Sequence, residues 1–368
     1  MRSLTSILIG GVVAALATAA LVVWWAVPGS SSPGNGADTS RDRTDRSDRS
    51  EYAAGPETSA RPGEVMLPVD AAVTCPAPTV HVRTAEELTA ALAAAGPGTV
   101  IALRDGTYSG NFTGTAVGSP EAPIFICGSR EAVLDAGGPK EGYVLHLDGA
   151  QCWRVVGFTV SNGQKGVMAD GVVGSVIQQL HVTGTGDEAI HLRRFSSDNV
   201  VRGNEVDTTG LRRDKFGEGI YVGTAVSNWC TISDCRPDRS DRNVVVGNRI
   251  SNTGSESVDI KEGTTGGAVR GNTFDGAGMT GADSWVDIKG NAWVIEGNTG
   301  TRSPLDGFQT HQILDDWGDW NLFRGNTADV QGDGFGYALR PVANNVLSCD
   351  NNATAAGSGT ANTACSPD

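Results

Sequence analysis

Five short segments carry the residues of this chain best suited to moving protons. They read Ala189-Ile190-His191-Leu192-Arg193, Gly219-Ile220-Tyr221-Val222-Gly223, Ser257-Val258-Asp259-Ile260-Lys261, Trp285-Val286-Asp287-Ile288-Lys289 and Gly307-Phe308-Gln309-Thr310-His311. Apolar residues recur at every second position, the period of a β-strand, so Ile190/Leu192, Ile220/Val222, Val258/Ile260 and Val286/Ile288 face one way and the residues between them the other. If the strands stack in this register, His191, Tyr221, Asp259, Asp287 and Gln309 form one outward column. Arg193, Gly223, Lys261, Lys289 and His311 form the next, and Glu188, Glu218, Glu256, Ser284 and Asp306 a third. Parallel strands stack about 4.8 Å apart, close enough for neighbours in a column to interact.

That band places carboxylates at one margin and cations at the other. A ladder built only for stability would alternate signs, whereas here Asp259 stacks on Asp287 and Lys261 on Lys289. Like charges stacked in a sheet cost energy unless a ligand or ion offsets them, which points to a site. A lysine stacked beneath another has its proton destabilised, so one of Lys261 and Lys289 is expected to be a neutral amine able to act as a base. Asp259, Asp287 and Arg193 complete the candidate reacting set, with His191 and His311 as candidate acids. Glu218, Glu256 and Asp283 are the expected ligands of a hard cation such as Ca²⁺, which takes carboxylate oxygens. Tyr221, Gln309, Trp285 and Arg340 are the candidates for contacting a ligand, with Trp229, Trp317 and Trp320 as further aromatic surfaces.

The elements that must position these residues are legible from a second repeat. An apolar run ends in Gly-Asn at Val200-Val201-Arg202-Gly203-Asn204, Val245-Val246-Gly247-Asn248, Val269-Arg270-Gly271-Asn272, Ile295-Glu296-Gly297-Asn298 and Phe323-Arg324-Gly325-Asn326. The last four Asn are 24, 26 and 28 residues apart, and the first gap of 44 holds an insertion around Cys230 and Cys235. Such a period suits one coil of a three-sided solenoid, with the Asn side chains hydrogen-bonding their copies above and below. The predicted fold is all-β, a single right-handed parallel β-helix from about Val80 to the C-terminus. Thr84-Ala85-Glu86-Glu87 is a capping box that opens a short helix ending at Gly96, expected to cover the raw edge of the first coil. No further helix is expected after Gly98.

Composition sets the surroundings. The chain has 368 residues, 50 of them Gly, and a formal charge of −14, which argues against nucleic acid as a partner. Ile7 to Val27 is an uncharged apolar run, read either as a membrane anchor or as a long cleaved signal, so residues 1–28 send the rest of the chain out of the cytoplasm. Residues 29–65, rich in Ser, Pro, Gly, Asp and Arg, read as a disordered linker, and 66–368 as the β-helix domain, expected to be monomeric. Seven cysteines fit an oxidising compartment. Cys230 with Cys235 and Cys349 with Cys365 look like local staples, and Cys75 with Cys127 is a candidate third bridge that leaves Cys152 as a buried free thiol. No C-x-x-C pair signals a zinc site.

These motifs resemble the pectate-lyase-like β-helix superfamily over about Val80 to Leu347, and within it polysaccharide lyase family six, the alginate lyase and chondroitinase B group. That family has a Glu, an apolar strand ending in a catalytic Lys, and an Arg-Gly-Asn-Thr-Phe-like turn. Here stand Glu256-Ser257-Val258-Asp259-Ile260-Lys261 and Arg270-Gly271-Asn272-Thr273-Phe274. The family's next coil ends Leu-Arg-His-Gly-Asn, where this chain has Val286-Asp287-Ile288-Lys289-Gly290-Asn291. The resemblance implies Lys261 as the base that removes the proton beside a uronate carboxylate, Lys289 as acid or carboxylate neutraliser, and Ca²⁺ near Glu256. Lys289 in place of Arg is not a conservative exchange for carboxylate recognition, and it marks a separate subfamily.

Three functions compete on these residues. The first is a calcium-assisted lyase on a uronate-containing polysaccharide. The second is an inverting glycoside hydrolase using Asp259 and Asp287, although adjacent coils would place these about 5 Å apart, short of the roughly 6.5–9.5 Å that inversion needs. The third is a surface protein that binds glycan without turnover.

Overall fold

The computed structural model describes residues 65–367. The apolar run Ile7 to Val27 and most of the 29–65 linker lie outside the described residues. Within them, no helix is long and apolar enough to cross a membrane.

The chain winds as a right-handed parallel β-helix of three sheets, with 11, 10 and 10 strands, every pairing parallel. Each coil places one strand in each sheet, and every third strand is a neighbour in space. Inward side chains of all three sheets merge into one core, in which Ile190, Leu192, Ile220, Val222, Val258, Ile260, Val286 and Ile288 are fully buried. The alternation read from the sequence is therefore the core pattern.

The Gly-Asn turns form the expected ladder. The Nδ2 of Asn248 donates to Asn272 Oδ1 at 2.9 Å, Asn272 to Asn298 at 2.9 Å, and Asn298 to Asn326 at 2.9 Å. The same Oδ1 atoms also accept the backbone N–H of the preceding Asn, so each buried amide is satisfied and the coil register is pinned. The helix Ala85–Ala93 begins as predicted: Thr84 Oγ1 accepts from Glu87 N at 3.2 Å, while Glu87 reaches back to Arg83 N at 2.6 Å. Its Leu88 and Leu92 are buried in the core at the end of the solenoid.

One feature departs from the sequence reading. The 44-residue coil contains 3₁₀ turns at Asp214–Phe216 and Val226–Asn228 and a short helix at Trp229–Ile232, so helix does follow Gly98. Residues 65–78, ahead of the first strand at Val80, lie on the outside of the solenoid. Leu67 and Val73 pack on Val176, Val200 and Val244, which face outward from the first sheet, and Val73 exchanges two hydrogen bonds with the Gln178 side chain. These outward valines explain the strap, because an apolar outer face must be covered.

All three disulfides read from the sequence are present, Cys75–Cys127, Cys230–Cys235 and Cys349–Cys365, and Cys152 is free but half-buried rather than buried. Cys75–Cys127 closes a long loop and ties the strap to the second coil. Replacing both cysteines by serine is expected to lower stability by about 2–4 kcal/mol and to expose residues 65–78 to protease, read by denaturant unfolding and limited proteolysis.

Candidate active site

The second sheet carries the site. Its register pairs His191 with Tyr221, Tyr221 with Asp259, Asp259 with Asp287 and Asp287 with Gln309, so the first predicted column is present in full. The column is not a solvated face. His191, Asp259, Asp287 and Gln309 are all at most 4% exposed, because neighbouring outward side chains cover one another.

Lysine and aspartate alternate through the middle of the band. Lys261 Nζ lies 2.6 Å from Asp259 Oδ2, and Lys289 Nζ lies 2.7 Å from both Asp259 Oδ1 and Asp287 Oδ2. His311 Nδ1 closes the chain at 2.9 Å from Asp287. The two lysines thus do not stack directly, since Asp259 sits between them, which removes the like-charge argument for a neutral amine in the resting site. Burial opposes the charge on Lys261, but the Asp259 carboxylate outweighs it and raises the pKa. Lys289 is raised in the same way, against burial, by Asp259 and Asp287. Asp287 is held low in spite of its burial by Lys289 and His311, and the hydrogen bond to Asp287 raises His311.

Upstream of Tyr221 lies a second charged cluster. Lys165 Nζ bonds Glu188 Oε1 at 2.7 Å and meets His191 Nδ1 at 3.3 Å, while His191 Nε2 faces the Gly223 carbonyl at 2.9 Å. Nε2 therefore donates to the carbonyl, Nδ1 accepts, and burial with the nearby Lys165 charge lowers the pKa. A neutral imidazole with both nitrogens engaged is not the acid predicted from the sequence; it packs edge-on to Tyr221 at 4.3 Å instead. Arg193 is anchored on Asp170 at 2.7 Å.

Between these clusters opens a cavity of about 310 Å³, lined among others by Lys165, Arg193, Arg213, Phe216, Glu218 and Tyr221. Its walls come from both sides of the strand Ile220–Val222: Arg213 and Phe216 on one, Asn228, Thr231 and Ile232 on the other. Arg213 stacks over the Phe216 ring at 4.1 Å. The Tyr221 hydroxyl has no hydrogen-bond partner within the protein among the described residues, and Lys261 Nζ lies 5.1 Å from its ring centre. Burial, then the Asp259 and Glu218 charges, push the Tyr221 phenol well up, so it keeps its proton. Gly223 stands beside Lys261: a Cβ there would meet Lys261 Cβ at 3.2 Å and Thr264 Cγ2 at 2.6 Å.

The acidic margin is composed differently from expectation. Ligand atoms of Glu218, Glu256 and Asp259 lie within 4.8 Å of one another, close enough to share a cation, whereas Asp283 is exposed and accepts from Gln309 Nε2 at 2.7 Å. Burial and the Asp259 charge push Glu256 up to about 7, and burial with the Glu188 charge raises Glu218 well above the usual carboxylate range.

Two candidate ligand contacts are removed. Gln309 is fully buried, and Trp285 lies under the surface against Gly300 and Phe308, as Trp229 and Trp317 are also buried. Arg340 bonds Asp306 at 2.9 Å and stays partly exposed at the far end of the band, as does His311. Lys165 was not singled out from the sequence, although the register places it one coil before Glu188 in the same column. Extending that column upstream would have found it. Arg213 and Phe216 lie in the irregular long coil, where no repeat points to them.

No protein-family profile matches the chain, and no curated protein does. Among solved structures, an alginate lyase from Paenibacillus sp. str. FPU-7 is 35% identical, over 77% of this chain and 98% of that one, with a TM-score of 0.71. The pectate lyase Pel9A is 18% identical over 75% of this chain and 72% of that one, with a TM-score of 0.48. A mannuronic acid specific family 6 lyase from human gut microbiota is 14% identical over 70% and 66%, with a TM-score of 0.41. Identity at this level across nearly the whole of the Paenibacillus enzyme, on the same coil architecture, goes beyond a shared outline, and the chain belongs with it to the pectate-lyase-like β-helix superfamily.

Proposed function

We propose that the protein is an extracytoplasmic polysaccharide lyase that cleaves a uronate-containing polymer by β-elimination, held at the membrane by its N-terminal segment or secreted. The observation that carries this is the placing of Tyr221 and Lys261 side by side, next to a cavity lined by both cations and carboxylates. The 35% identity to an alginate lyase supports it.

Arg193, Lys165 and Arg213, each paired with a carboxylate of the protein, are the cations that line the cavity and could meet a uronate carboxylate. Asp170 engages both Nε and Nη2 of Arg193, which fixes the guanidinium and leaves Nη1 for a substrate carboxylate. Tyr221 retains its proton and gives it to the departing glycosidic oxygen. Lys261, in its neutral form, takes the proton from the carbon beside the carboxylate, and a double bond forms in the sugar ring. Asp287 is held ionised by Lys289 and His311, so it is not poised as the acid of a hydrolase.

The calcium implied by the family resemblance has its candidate ligands in Glu218, Glu256 and Asp259. They do not fit it as they stand. Both oxygens of Asp259 are engaged by ammonium groups, and Ca²⁺ requires roughly six to eight oxygens.

The test is incubation with alginate, pectate, chondroitin, hyaluronan and glucuronan, read by the ultraviolet absorbance of unsaturated uronate. The expected result is a rise on at least one polymer, which Tyr221→Phe reduces by about 10²-fold or more. Reducing ends without that absorbance would make the protein a hydrolase. Affinity without products would make it a glycan binder.

A further inference from the structure

We propose that the ammonium of Lys289 stands where a divalent cation would otherwise sit, joining two stacked carboxylates and providing the site's fixed positive charge. Asp259 and Asp287 are paired neighbours on adjacent coils, an arrangement that repels unless a cation lies between them. Lys289 follows Asp287 by two positions, so its side chain leaves the same face of the same sheet. Its Nζ lies 2.7 Å from Asp259 Oδ1 and 2.7 Å from Asp287 Oδ2, with the side chain only 8% exposed.

Residue type matters here. An ammonium is a compact point charge with three donors and can serve two separate carboxylates at once, as a metal ion does. A guanidinium presents a planar fork that favours one carboxylate bidentately. Lysine at this position therefore goes with two aspartates. The other oxygen of Asp259 holds Lys261 at 2.6 Å. Lys289 thus lets one carboxylate orient the residue at the reacting centre without drawing in an ion. Only this last role rests on the lyase reading; the cation's identity does not.

Calorimetric titration of the full-length protein with CaCl₂ tests the proposal, with thermal unfolding as a second readout. The wild-type protein is expected to give no stoichiometric binding and no shift of Tm at millimolar Ca²⁺. Lys289→Ser, which frees Asp259 and Asp287, is expected to bind one Ca²⁺ at least tenfold more tightly than wild type and to gain Tm on binding. Stoichiometric Ca²⁺ binding by wild type, lost in Glu218→Gln, would overturn the proposal, as would a folded Lys289→Ser that binds none. Should Lys289→Ser not fold, the wild-type titration decides alone. Both titrations read binding and keep their meaning whether or not the protein turns over a polysaccharide.

Discussion

Lys261→Ala is expected to lower the lyase rate by about 10²–10⁴-fold with the fold intact. The fold survives because Asp259 keeps Lys289 at 2.7 Å when Lys261 is removed, so no buried charge is left unpaired. Initial rates of unsaturated uronate formation check the first part and denaturant unfolding the second. The same residue fixes the pH dependence. Lys261 acts as a base only after losing a proton that Asp259 holds on it, and its pKa lies above the ordinary lysine value. kcat/KM of wild type is therefore expected to climb with pH through the alkaline range. Asp259→Asn removes the carboxylate that raises Lys261 most, leaving burial, which acts in the opposite sense, against the smaller effects of Glu262 and Glu256, and the rising limb should move to lower pH. A wild-type limb centred near neutrality would instead give the base role to Glu256, whose carboxyl is pushed up to about 7.

Trp285→Ala is expected to cost about 3–5 kcal/mol of stability with KM unchanged. Trp285 is fully buried, its ring 5.7 Å from that of Phe308 and its Nε1 donating to the Thr301 carbonyl at 3.0 Å. Gly300 and Gly307 leave room for the indole; Cβ atoms there would lie 2.3 Å and 2.8 Å from it. Removal of the ring leaves a cavity that neighbouring coils, pinned by the Asn ladder, cannot close. Denaturant unfolding reads the loss. A raised KM at unchanged stability would return Trp285 to the ligand-binding role suggested by its place in the sequence.

Trp285 also shows where sequence reading of such a fold reaches its limit. The period-two pattern placed it next to Val286 and on the face of Asp287, and within straight strands that inference is sound. Trp285 nevertheless joins the core from the second position of the strand Ser284–Ile288, its ring following the space left by Gly300 and Gly307 up to one coil further on, which no local pattern encodes. The columns were legible because parallel stacking carries register faithfully from coil to coil, as the Asp259–Asp287 pairing shows. The charges within them were not, because protonation depends on which oxygen meets which nitrogen. Reading Lys261 above Lys289 missed that Asp259 reaches between them. Arg213, Phe216 and the other wall residues belong to the one coil that breaks the repeat, and the strap at residues 65–78 has no periodicity of its own.

That strap has a mechanical consequence. Val65 sits against Gly266, while Cys75 is bonded to Cys127, five strands away along the first sheet. A pull on the chain at Val65 would peel the strap strand by strand, each step breaking only a few weak contacts, until it reached the covalent bond at Cys75. The tension would then enter the solenoid near its capped end, through the outer face of the first sheet. The cavity lies on a different sheet, so under a load carried by both the weakly held strap would yield before the face that lines the cavity deformed.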